Sequence, residues 1–242
     1  TGGRTRWLKL PGDPREHYVA RLEWVKDAAQ LVVHQLNRLQ NTLDIHLADA
    51  RTGEVKGLWQ DKDDAWVSVR ESTHWTHDGK WLLILSERSG WRQAYAISRT
   101  DRTVRLLTPR PADVVSLVGP DATDEWLYYL ASPDNATQRV LHRSRIDGSG
   151  ATARVSPADQ PGTHSYVLSP DGQFAFHTYS SFDVPPVTRL VRLPSHEVIR
   201  PLEENAALRT KLEALARPTE FLAVAAGDGV TLDGWMIKPK SF

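Results

Sequence analysis

The chain repeats one plan four times along its 242 residues, and this repeat limits the fold more than any other feature. Each copy has an apolar stretch, a short polar turn that contains an aspartate, and a second apolar stretch with an alternating pattern. The copies read EWVKDAAQLVVHQL, HWTHDGKWLLILSE, LVGPDATDEWLYYLA and VLSPDGQFAFHTYS, and their aspartates are Asp27, Asp78, Asp121 and Asp171. These aspartates are 51, 43 and 50 residues apart, so the copies are units of similar size.

Each copy continues with two further strand-like stretches. The third stretches are TLDIHLADARTGEV, RQAYAISRTDRTV, RVLHRSRIDGSGA and VTRLVRLPSHEV, and the fourth are VKGLW, VRLLT, ATARVS and VIRPLE. Four strands in each repeat of about forty to fifty residues predict an all-β fold of antiparallel β-propeller blades, arranged radially over residues 6–202. A β-sandwich with the same number of strands is the alternative, but it gives no reason for the spacing of the aspartates.

The sequence after residue 202 follows a different pattern. The leucines of NAALRTKLEALARP recur every three or four residues between Asn205, an N-cap residue, and Pro218, which ends the predicted short helix. The last stretch, GDGVTLDGWMIKPKSF, alternates again and has glycine turns at 227–229 and 233–234, which predicts one or two strands joined by tight turns. Because such strands open a sheet, we expect a further domain to follow them.

The composition excludes some chemistry and leaves other classes without support. Cysteine is absent, which removes disulfides, thiolate zinc sites and a thiol nucleophile. Lys plus Arg and Asp plus Glu both number 30, so no basic excess points to nucleic acid or to an anionic membrane. No apolar run approaches the ~18 residues that a membrane span needs, and no signal peptide is recognisable. The only methionine is Met236, so we expect a processed or excised piece of a longer protein.

Several collinear stretches resemble the dipeptidyl peptidase IV branch of the prolyl oligopeptidase superfamily of serine peptidases. They include HYVARLEWVKDAAQLVVHQLNRLQNTLDIHLADARTGEV, SERSGWRQAYAI, SPDGQFAFHTYSSFDVPP, LEENAAL and GDGVTLDGWMIKPKSF. In that family an eight-bladed propeller precedes an α/β-hydrolase domain. The resemblance implies that residues 1–202 are the second half of a propeller. It also implies that 203–217 form a connector helix and that 218–242 are the first strands of the hydrolase domain.

The resemblance implies a function for the longer protein, a serine exopeptidase that removes N-terminal dipeptides, often Xaa-Pro, from peptides. The propeller would limit access to the active site and position the substrate, without a cofactor. The implied partners are the peptide substrate and the protein's own α/β-hydrolase domain, and the implied location is periplasmic or extracellular. A stand-alone propeller that acts as an interaction scaffold without peptidase activity is the alternative.

Few residues of the chain itself suit the chemistry of such an enzyme. No G-x-S-x-G nucleophile elbow is present, and Gly148-Ser149-Gly150 is too short for one, so we expect the catalytic triad to follow residue 242. In the family an arginine shortly after a Trp-Val pair faces the active-site cavity. Trp66-Val67 matches this pair, which makes Arg70 the candidate substrate-binding residue.

Two other groupings of polar residues are weaker candidates. Glu203-Glu204 is an adjacent acidic pair of the kind with which the family binds the ammonium group of its substrate, but the family's pair lies in an earlier blade. His74 and His77 with Glu71 have the composition of a metal site, yet residues three apart share a face only in a helix. We therefore expect no metal site and assign neither grouping to the active site.

Half of a propeller ring has two blade faces without a neighbouring blade. Because blade faces are apolar, each open face leaves several hundred Å² of apolar surface in water, on the order of 10 kcal/mol at about 25 cal/mol per Å². We therefore expect the isolated chain either to associate with itself through these faces or to be less stable than a closed ring.

The chain alone is expected to be inactive as a peptidase, because it has no nucleophile elbow. Incubation with Xaa-Pro dipeptide reporter substrates should release no product, and fluorophosphonate probes should label no serine. Stoichiometric labelling of any serine would contradict the placement of the triad after residue 242.

Overall fold

The structure is a computed structural model, and it describes residues 3, 5–25, 29–69, 73–215 and 219–238. Sixteen strands form four sheets of four, and in each sheet every strand pairs antiparallel with the next in the chain. This confirms the predicted four-stranded antiparallel blades. The aspartate assigned to the first repeat, Asp27, lies outside the described residues.

The strand bounds follow the repeat closely. Blade 1 is β1 His17–Trp24, β2 Gln30–Asn37, β3 Thr42–Asp49 and β4 Val55–Lys62, and blade 2 is β5 His74–Trp75, β6 Trp81–Ser86, β7 Gln93–Ser98 and β8 Val104–Leu106. Blade 3 is β9 Val114–Pro120, β10 Trp126–Ala131, β11 Val140–Arg145 and β12 Thr152–Arg154. Blade 4 is β13 Thr163–Leu168, β14 Phe174–Ser180, β15 Val187–Arg192 and β16 Glu197–Glu203.

The chain divides into two compact units. One consists of Thr1–Pro109, Thr123–Glu125 and Arg145–Gly150, and it contains blades 1 and 2. The other consists of Arg110–Ala122, Trp126–Ser144 and Ala151–Phe242, and it contains most of blade 3 and all of blade 4. Each unit therefore holds the core between one pair of successive blades.

The core of the first unit lies between the facing sides of blades 1 and 2. Val32 and Ile45 of blade 1 and Leu82 and Ile97 of blade 2 belong to one buried cluster, with at most 1% of each exposed. In the second unit, a corresponding cluster joins Leu141 of blade 3 to aliphatic and aromatic side chains of blade 4. Burial of about 25 cal/mol per Å² of such surface is the main force that holds two blades together.

The recurring aspartates close the hairpin between the first two strands of a blade. In blade 2, Thr76 Oγ1 donates to Asp78 Oδ1 at 2.7 Å, and Thr76 Oγ1 accepts the Trp81 N–H at 3.0 Å. Blade 4 repeats this pattern with Ser169, Asp171 and Phe174, where the hydroxyl accepts the Phe174 N–H at 3.0 Å. The carboxylate orders the turn, which explains why aspartate recurs at this point of the repeat.

Aromatic residues start the second strand of blades 2, 3 and 4, and each lies under an arginine. The guanidinium carbon is 3.8 Å from the ring centre in the pair Arg105–Trp81 and 4.2 Å in the pair Arg143–Trp126. In blade 4 the pair is Arg192–Phe174, at 5.0 Å. These are cation–π contacts, each worth about 0.5–1 kcal/mol at an exposed site.

The outer face of blade 1, turned away from blade 2, is partly covered by the segment that precedes it. Leu8 and Leu10 pack against Leu31 and Val33, and Gln35 Nε2 donates to a backbone oxygen of the same segment at 2.8 Å. This segment does not cover the adjacent strand β1 in the same way. Leu22 and Trp24, which pair across the sheet with Val33 and Leu31, are 54% and 60% exposed.

The outer face of blade 4 also carries exposed apolar side chains. Val167 and Phe176 pair across β13 and β14 and are 67% and 53% exposed, and Leu190 continues the same row on β15. Exposed apolar area is therefore present on both faces for which it was expected. Self-association through these faces stays a prediction.

The last elements of the chain are helix α1, Ala206–Leu215, and the hairpin of β17, Thr219–Gly227, and β18, Val230–Ile237. α1 lies inside the predicted connector at 203–217, although Glu203 still belongs to β16; the domain boundaries stay a prediction. The glycine turn at 227–229 closes the hairpin, but the second predicted turn is wrong, because Asp233 and Gly234 pair with Ala223 and Leu222 inside β18. No helix in the described part of the chain has the length and hydrophobicity of a membrane span.

Replacing Leu82 by alanine is expected to lower the free energy of unfolding by about 2–5 kcal/mol, because the cavity lies in the packed core between blades 1 and 2. The matched control is Leu39→Ala, at a side chain that is 74% exposed, for which we expect a change within about 0.5 kcal/mol. Urea denaturation of both variants measures the difference. Equal losses would mean that the interface between blades 1 and 2 is not the core of this unit.

Candidate substrate-side site

The loop that joins blade 1 to blade 2 is held in place by hydrogen bonds before it reaches Arg70. Asp63 Oδ1 accepts the N–H groups of Ala65 at 2.8 Å and Trp66 at 3.3 Å, which forms a tight local turn. The Val67 N–H donates to the backbone oxygen of residue 40 at 2.9 Å. Farther along, Arg21 Nε donates to the backbone oxygen of residue 69 at 3.1 Å. The loop is thus tied to blade 1 at both ends of its described part.

These bonds orient two successive side chains in opposite directions. Val67 is buried in the cluster between blades 1 and 2, whereas the indole of Trp66 is 55% exposed. The buried valine anchors the loop, and the tryptophan presents an aromatic surface to whatever lies outside it. Arg70 and Glu71 lie outside the described residues, so Val69 is the last described residue before the candidate arginine.

A cavity of about 60 Å³ lies beneath this loop, between blades 1 and 2. Its apolar wall comes from aliphatic side chains of both blades and of the loop. Its polar groups include His34 and Trp59 on the blade 1 side, Ser86 on the blade 2 side, and Asp61 and Arg88; charged side chains of Lys62, Asp63, Glu87 and Arg92 also line it. The cavity is large enough for a few water-sized groups and too small for an amino acid.

The register of blade 1 explains why these polar side chains meet. His34 on β2 pairs with Ile45 on β3, which in turn pairs with Trp59 on β4. Residues that pair across a sheet project from the same face, so the three side chains form one row toward blade 2. Asp61 follows two residues after Trp59 on the same strand and therefore projects from the same face.

Three buried nitrogens in this row have no hydrogen-bond partner: both ring nitrogens of His34 and Nε1 of Trp59. Burial lowers the pKa of His34 to about 4, against the opposing effect of Glu23, so the imidazole is neutral near pH 7. A neutral imidazole has one N–H donor and one acceptor, and the indole adds a second donor. The wall can therefore hold a small polar group that both donates and accepts.

Arg88 and Asp61 neutralise each other beside the cavity. The guanidinium carbon of Arg88 is 3.7 Å from the Trp59 ring centre, and Nη2 donates to the backbone oxygen of residue 60 at 2.6 Å. Arg88 Nε also lies 3.4 Å from Asp61 Oδ1. The charges of Arg88 and Asp61 are therefore paired with each other.

A serine, a histidine and an aspartate line this cavity, but they are not arranged as a catalytic triad. Ser86 Oγ accepts the Arg88 N–H at 3.2 Å, Asp61 interacts with the Arg88 guanidinium, and His34 has no hydrogen bond to either. A triad requires the histidine to bond both the nucleophile and the carboxylate. The geometry supports binding and gives no support for acyl transfer here.

Several weaker candidate residues of the sequence analysis make local contacts in the structure: each of these is part of an ion pair, a hydrogen bond or a turn. Asp124 Oδ1 lies 2.7 Å from His77 Nδ1 and also accepts the His77 N–H. Glu204 forms an ion pair with Arg189 at 3.2 Å, and Glu203 accepts the N–H of the next residue but one at 2.6 Å. Ser149 lies in a turn, where its N–H donates to Asp147 Oδ1 at 2.9 Å.

Metal binding has no support within the described ranges, where no three histidine, cysteine, aspartate or glutamate side chains cluster as ligands. The row of His34 and Trp59 was not predicted from the sequence. Its signal was present, because QLVVHQLN places a histidine directly after three apolar residues. Nothing in the sequence indicated that this histidine meets a second polar group, Trp59, which lies 25 residues later on β4.

Successive blades of four antiparallel strands, each beginning where the last ends, define a region of a β-propeller. A solved structure supports this: the crystal structure of Porphyromonas gingivalis dipeptidyl peptidase 4 matches 97% of the chain with a TM-score of 0.88 and 26% sequence identity. The family model of the dipeptidyl peptidase IV (DPP IV) N-terminal region matches residues 1–186. The chain belongs to this family.

Curated relatives agree with this assignment. A probable dipeptidyl peptidase 4 of Emericella nidulans is 27% identical over 220 residues, which are 85% of this chain and 28% of that protein. The inactive dipeptidyl peptidase 10 of Mus musculus is 28% identical over 160 residues, which are 60% of this chain and 20% of that protein. The P. gingivalis match covers 33% of that chain. The chain therefore spans about a third or less of the proteins that it resembles.

We expect His34 to remain neutral until the pH falls to about 4, because burial disfavours the charged ring. In the unfolded chain its pKa is about 6.5, so the stability that depends on neutral His34 is complete above pH 6.5 and is lost as the pH falls toward 4. The shift corresponds to on the order of 3 kcal/mol.

Proton NMR of the His34 ring gives its pKa directly, and urea denaturation from pH 7.5 to 4 gives the loss of stability. The matched variant is His34→Gln, which does not titrate and should lose less stability over this range. The same pH dependence in both proteins, or a His34 pKa near 6.5, would contradict the expectation.

Proposed function

We propose that the chain is the propeller portion of a serine exopeptidase that removes N-terminal dipeptides, and that the loop at 63–69 belongs to its substrate side. One observation carries the proposal: the fold matches that of a dipeptidyl peptidase 4 over 97% of the chain, with a TM-score of 0.88. The protein's own α/β-hydrolase domain would supply the nucleophile, the base and the carboxylate.

In such an enzyme the propeller contributes geometry. It limits access to the nucleophile and holds recognition groups at a fixed distance from it, which reduces the entropy that productive binding costs. The described loop has the rigidity that this role requires, because Asp63, Arg21 and the residue 40 carbonyl fix it by hydrogen bonds. Trp66 then offers an aromatic face without a large loss of side-chain entropy.

Arg70 is the second residue assigned to the substrate side. In the family an arginine at this point of the loop faces the active-site cavity, and a guanidinium there would donate to peptide carbonyl groups. The assignment rests on the Trp66-Val67 match, three residues before it.

A specific observation favours a second candidate function. One of the relatives, at 28% identity, is named an inactive dipeptidyl peptidase. Propellers of this family are therefore present in proteins without peptidase activity, and in that case this chain would serve as an interaction scaffold. The length of the native reading frame and hydrolysis by its product distinguish the two functions.

The test uses the protein encoded by the complete native reading frame. We expect it to hydrolyse an Ala-Pro reporter and to react with a fluorophosphonate probe. A product that includes the α/β-hydrolase domain but neither hydrolyses the reporter nor reacts with the probe would overturn the exopeptidase proposal in favour of the scaffold.

The substrate-side assignment is tested by Trp66→Ala and Arg70→Ala in that protein. Each is expected to lower kcat/KM for peptide substrates about tenfold, mainly through KM, because one aromatic or charged contact is worth about 1–2 kcal/mol. The control is Trp91→Ala, at another exposed tryptophan of the same unit, which is 45% exposed and does not line the cavity. Equal kinetics for Trp66→Ala and Trp91→Ala would remove the loop from the substrate side.

A further inference from the structure

Three histidines and two tyrosines meet on the buried face of blade 4, and none of them belongs to the groups assigned to substrate. Across β13 and β14, His164 pairs with Tyr179 and Tyr166 pairs with His177, so all four side chains project from one face. His164 and His177 are at most 1% exposed. His196, in the turn between β15 and β16, places its ring edge against His177 at 4.7 Å between centres. We call these five residues the histidine cluster.

Hydrogen bonds link the histidine cluster to the two segments that flank it. His164 Nδ1 lies 2.9 Å from His177 Nε2, and His164 Nε2 lies 2.9 Å from the backbone oxygen of Gln160. Tyr166 Oη lies 2.8 Å from His196 Nε2 and 3.1 Å from Ser156 Oγ. The cluster thus connects β13 and β14 to the end of blade 3 and to the β15–β16 turn.

The partners of His164 assign its protons. A backbone oxygen only accepts, so His164 Nε2 carries a hydrogen and donates it to residue 160. In the neutral ring Nδ1 is then a bare acceptor, and His177 Nε2 must be the donor. A second proton on His164 would place N–H groups on both sides of this 2.9 Å contact, unless the His177 ring moves its own proton from Nε2 to Nδ1. The network with His177 as the donor therefore contains a neutral His164.

The charged groups around the cluster oppose a positive ring. Arg154 of β12 lies near His164, and Arg189 of β15 lies near His177 and His196. Glu204, after β16, is paired with Arg189. The remaining titratable neighbours are the phenols of Tyr166 and Tyr179, with Tyr128 of β10 in the same apolar cluster as Tyr166; burial raises the pKa of Tyr166 and Tyr128 above the ordinary value.

The pKa values of the histidines agree with this geometry. Burial lowers the pKa of His177 to about 3, with further lowering by His196, His164 and Arg189. Burial also lowers the pKa of His164 and of His196. In the unfolded chain each is near 6.5. Opening of blade 4 therefore takes up protons, so its closed state is fully stable above about pH 6.5 and loses stability as the pH falls.

The buried histidines of the first unit differ from the histidine cluster because carboxylates are among their charged neighbours. Glu23 raises the pKa of His34 and His74, and Asp44 raises that of His46, against the lowering by burial. These carboxylates can partly compensate a charged ring, although Arg21 also lowers the pKa of His34. The charged side chains that shift the pKa values of the histidine cluster are arginines and the other histidines, and three buried rings lie together there. Its acid sensitivity should therefore exceed that of the single ring of His34.

We propose that the histidine cluster is a pH-sensitive latch. When its histidines are neutral it ties β13 and β14 to the segments around 156–160 and 193–196, and in mildly acidic solution it takes up protons and releases these segments. Blade 4 then opens locally before the rest of the chain unfolds. The latch goes beyond the proposed function, because it needs neither a substrate nor the hydrolase domain.

Hydrogen exchange measured by mass spectrometry tests the latch between pH 7.5 and 5.0, after correction for intrinsic exchange rates. Each histidine that is neutral in the closed blade should raise the opening constant by up to about 30-fold over this range. We expect a rise well above 30-fold for peptides from 163–180, which contain two rings of the cluster, and a rise of about 30-fold for peptides from 30–49, which contain His34. A rise below about threefold in 163–180 would overturn the latch.

Two variants separate the latch from general acid sensitivity. His177→Gln keeps an N–H donor toward His164 without a titrating ring, so the rise in 163–180 should shrink by about 30-fold. The control is His46→Gln, which removes a buried histidine of blade 1 that bonds Gln35 and should leave the rise unchanged. An unchanged rise in His177→Gln, or an equal loss in both variants, contradicts the proposal.

If His177→Gln fails to fold, NMR titration of the histidine rings in the wild-type chain tests the latch instead. In the wild-type chain, His177 should show no titration in the closed state down to pH 5, and His164 should titrate below the ordinary histidine range. Titration of both rings near pH 6.5 while the blade stays closed would show that the cluster tolerates charge, and the latch would be excluded.

Discussion

The structure depends on the packing of sheets whose two faces are both apolar. Strand β2 shows the constraint: Val32 faces blade 2, while Leu31 and Val33 face the opposite side, and all three are buried. A sheet of this kind is stable in water only if something covers each face. Blade 2 covers one side of blade 1, and the segment containing Leu8 and Leu10 covers part of the other.

Polar groups inside such packing require partners, and the structure supplies them unevenly. In blade 4, histidines and tyrosines bond one another in a hydrogen-bonded network, although His142 Nε2 in the same unit has no partner. In the first unit, His34 and Trp59 leave three nitrogens without partners beside a cavity of about 60 Å³. An unsatisfied buried polar group costs about 1–3 kcal/mol, and a small polar guest in this cavity would remove part of that cost.

The division of labour in the proposed enzyme follows from the same packing. Blades are rigid because their faces interlock, and loops between blades inherit this rigidity when hydrogen bonds tie them down. The loop at 63–69 is tied to Arg21 and to the carbonyl of residue 40, so it can hold Trp66 in a fixed position. In the proposed enzyme, chemistry would reside in another domain, while the propeller would supply position and access.

The amino-acid sequence by itself determined the blades. Alternation with a period of two, the turn aspartates Asp78 and Asp171, and the recurrence of the pattern are local signals, since each depends on residues a few positions apart. They predicted all sixteen blade strands and the helix, and the resemblance predicted the family. The same local logic was wrong at Asp233-Gly234, because pairing with β17 keeps this Asp-Gly pair extended within a strand.

Only the tertiary structure decided which polar residues meet. His34 and Trp59 share a row because two strand registers align them, and His196 reaches Tyr166 from a turn that is 30 residues later. Such meetings depend on register and on the contact of separate elements, and no spacing in the sequence encodes them. The physical reason is that strand alternation fixes the face on which a side chain lies, while its neighbours on that face are chosen by the packing of distant segments.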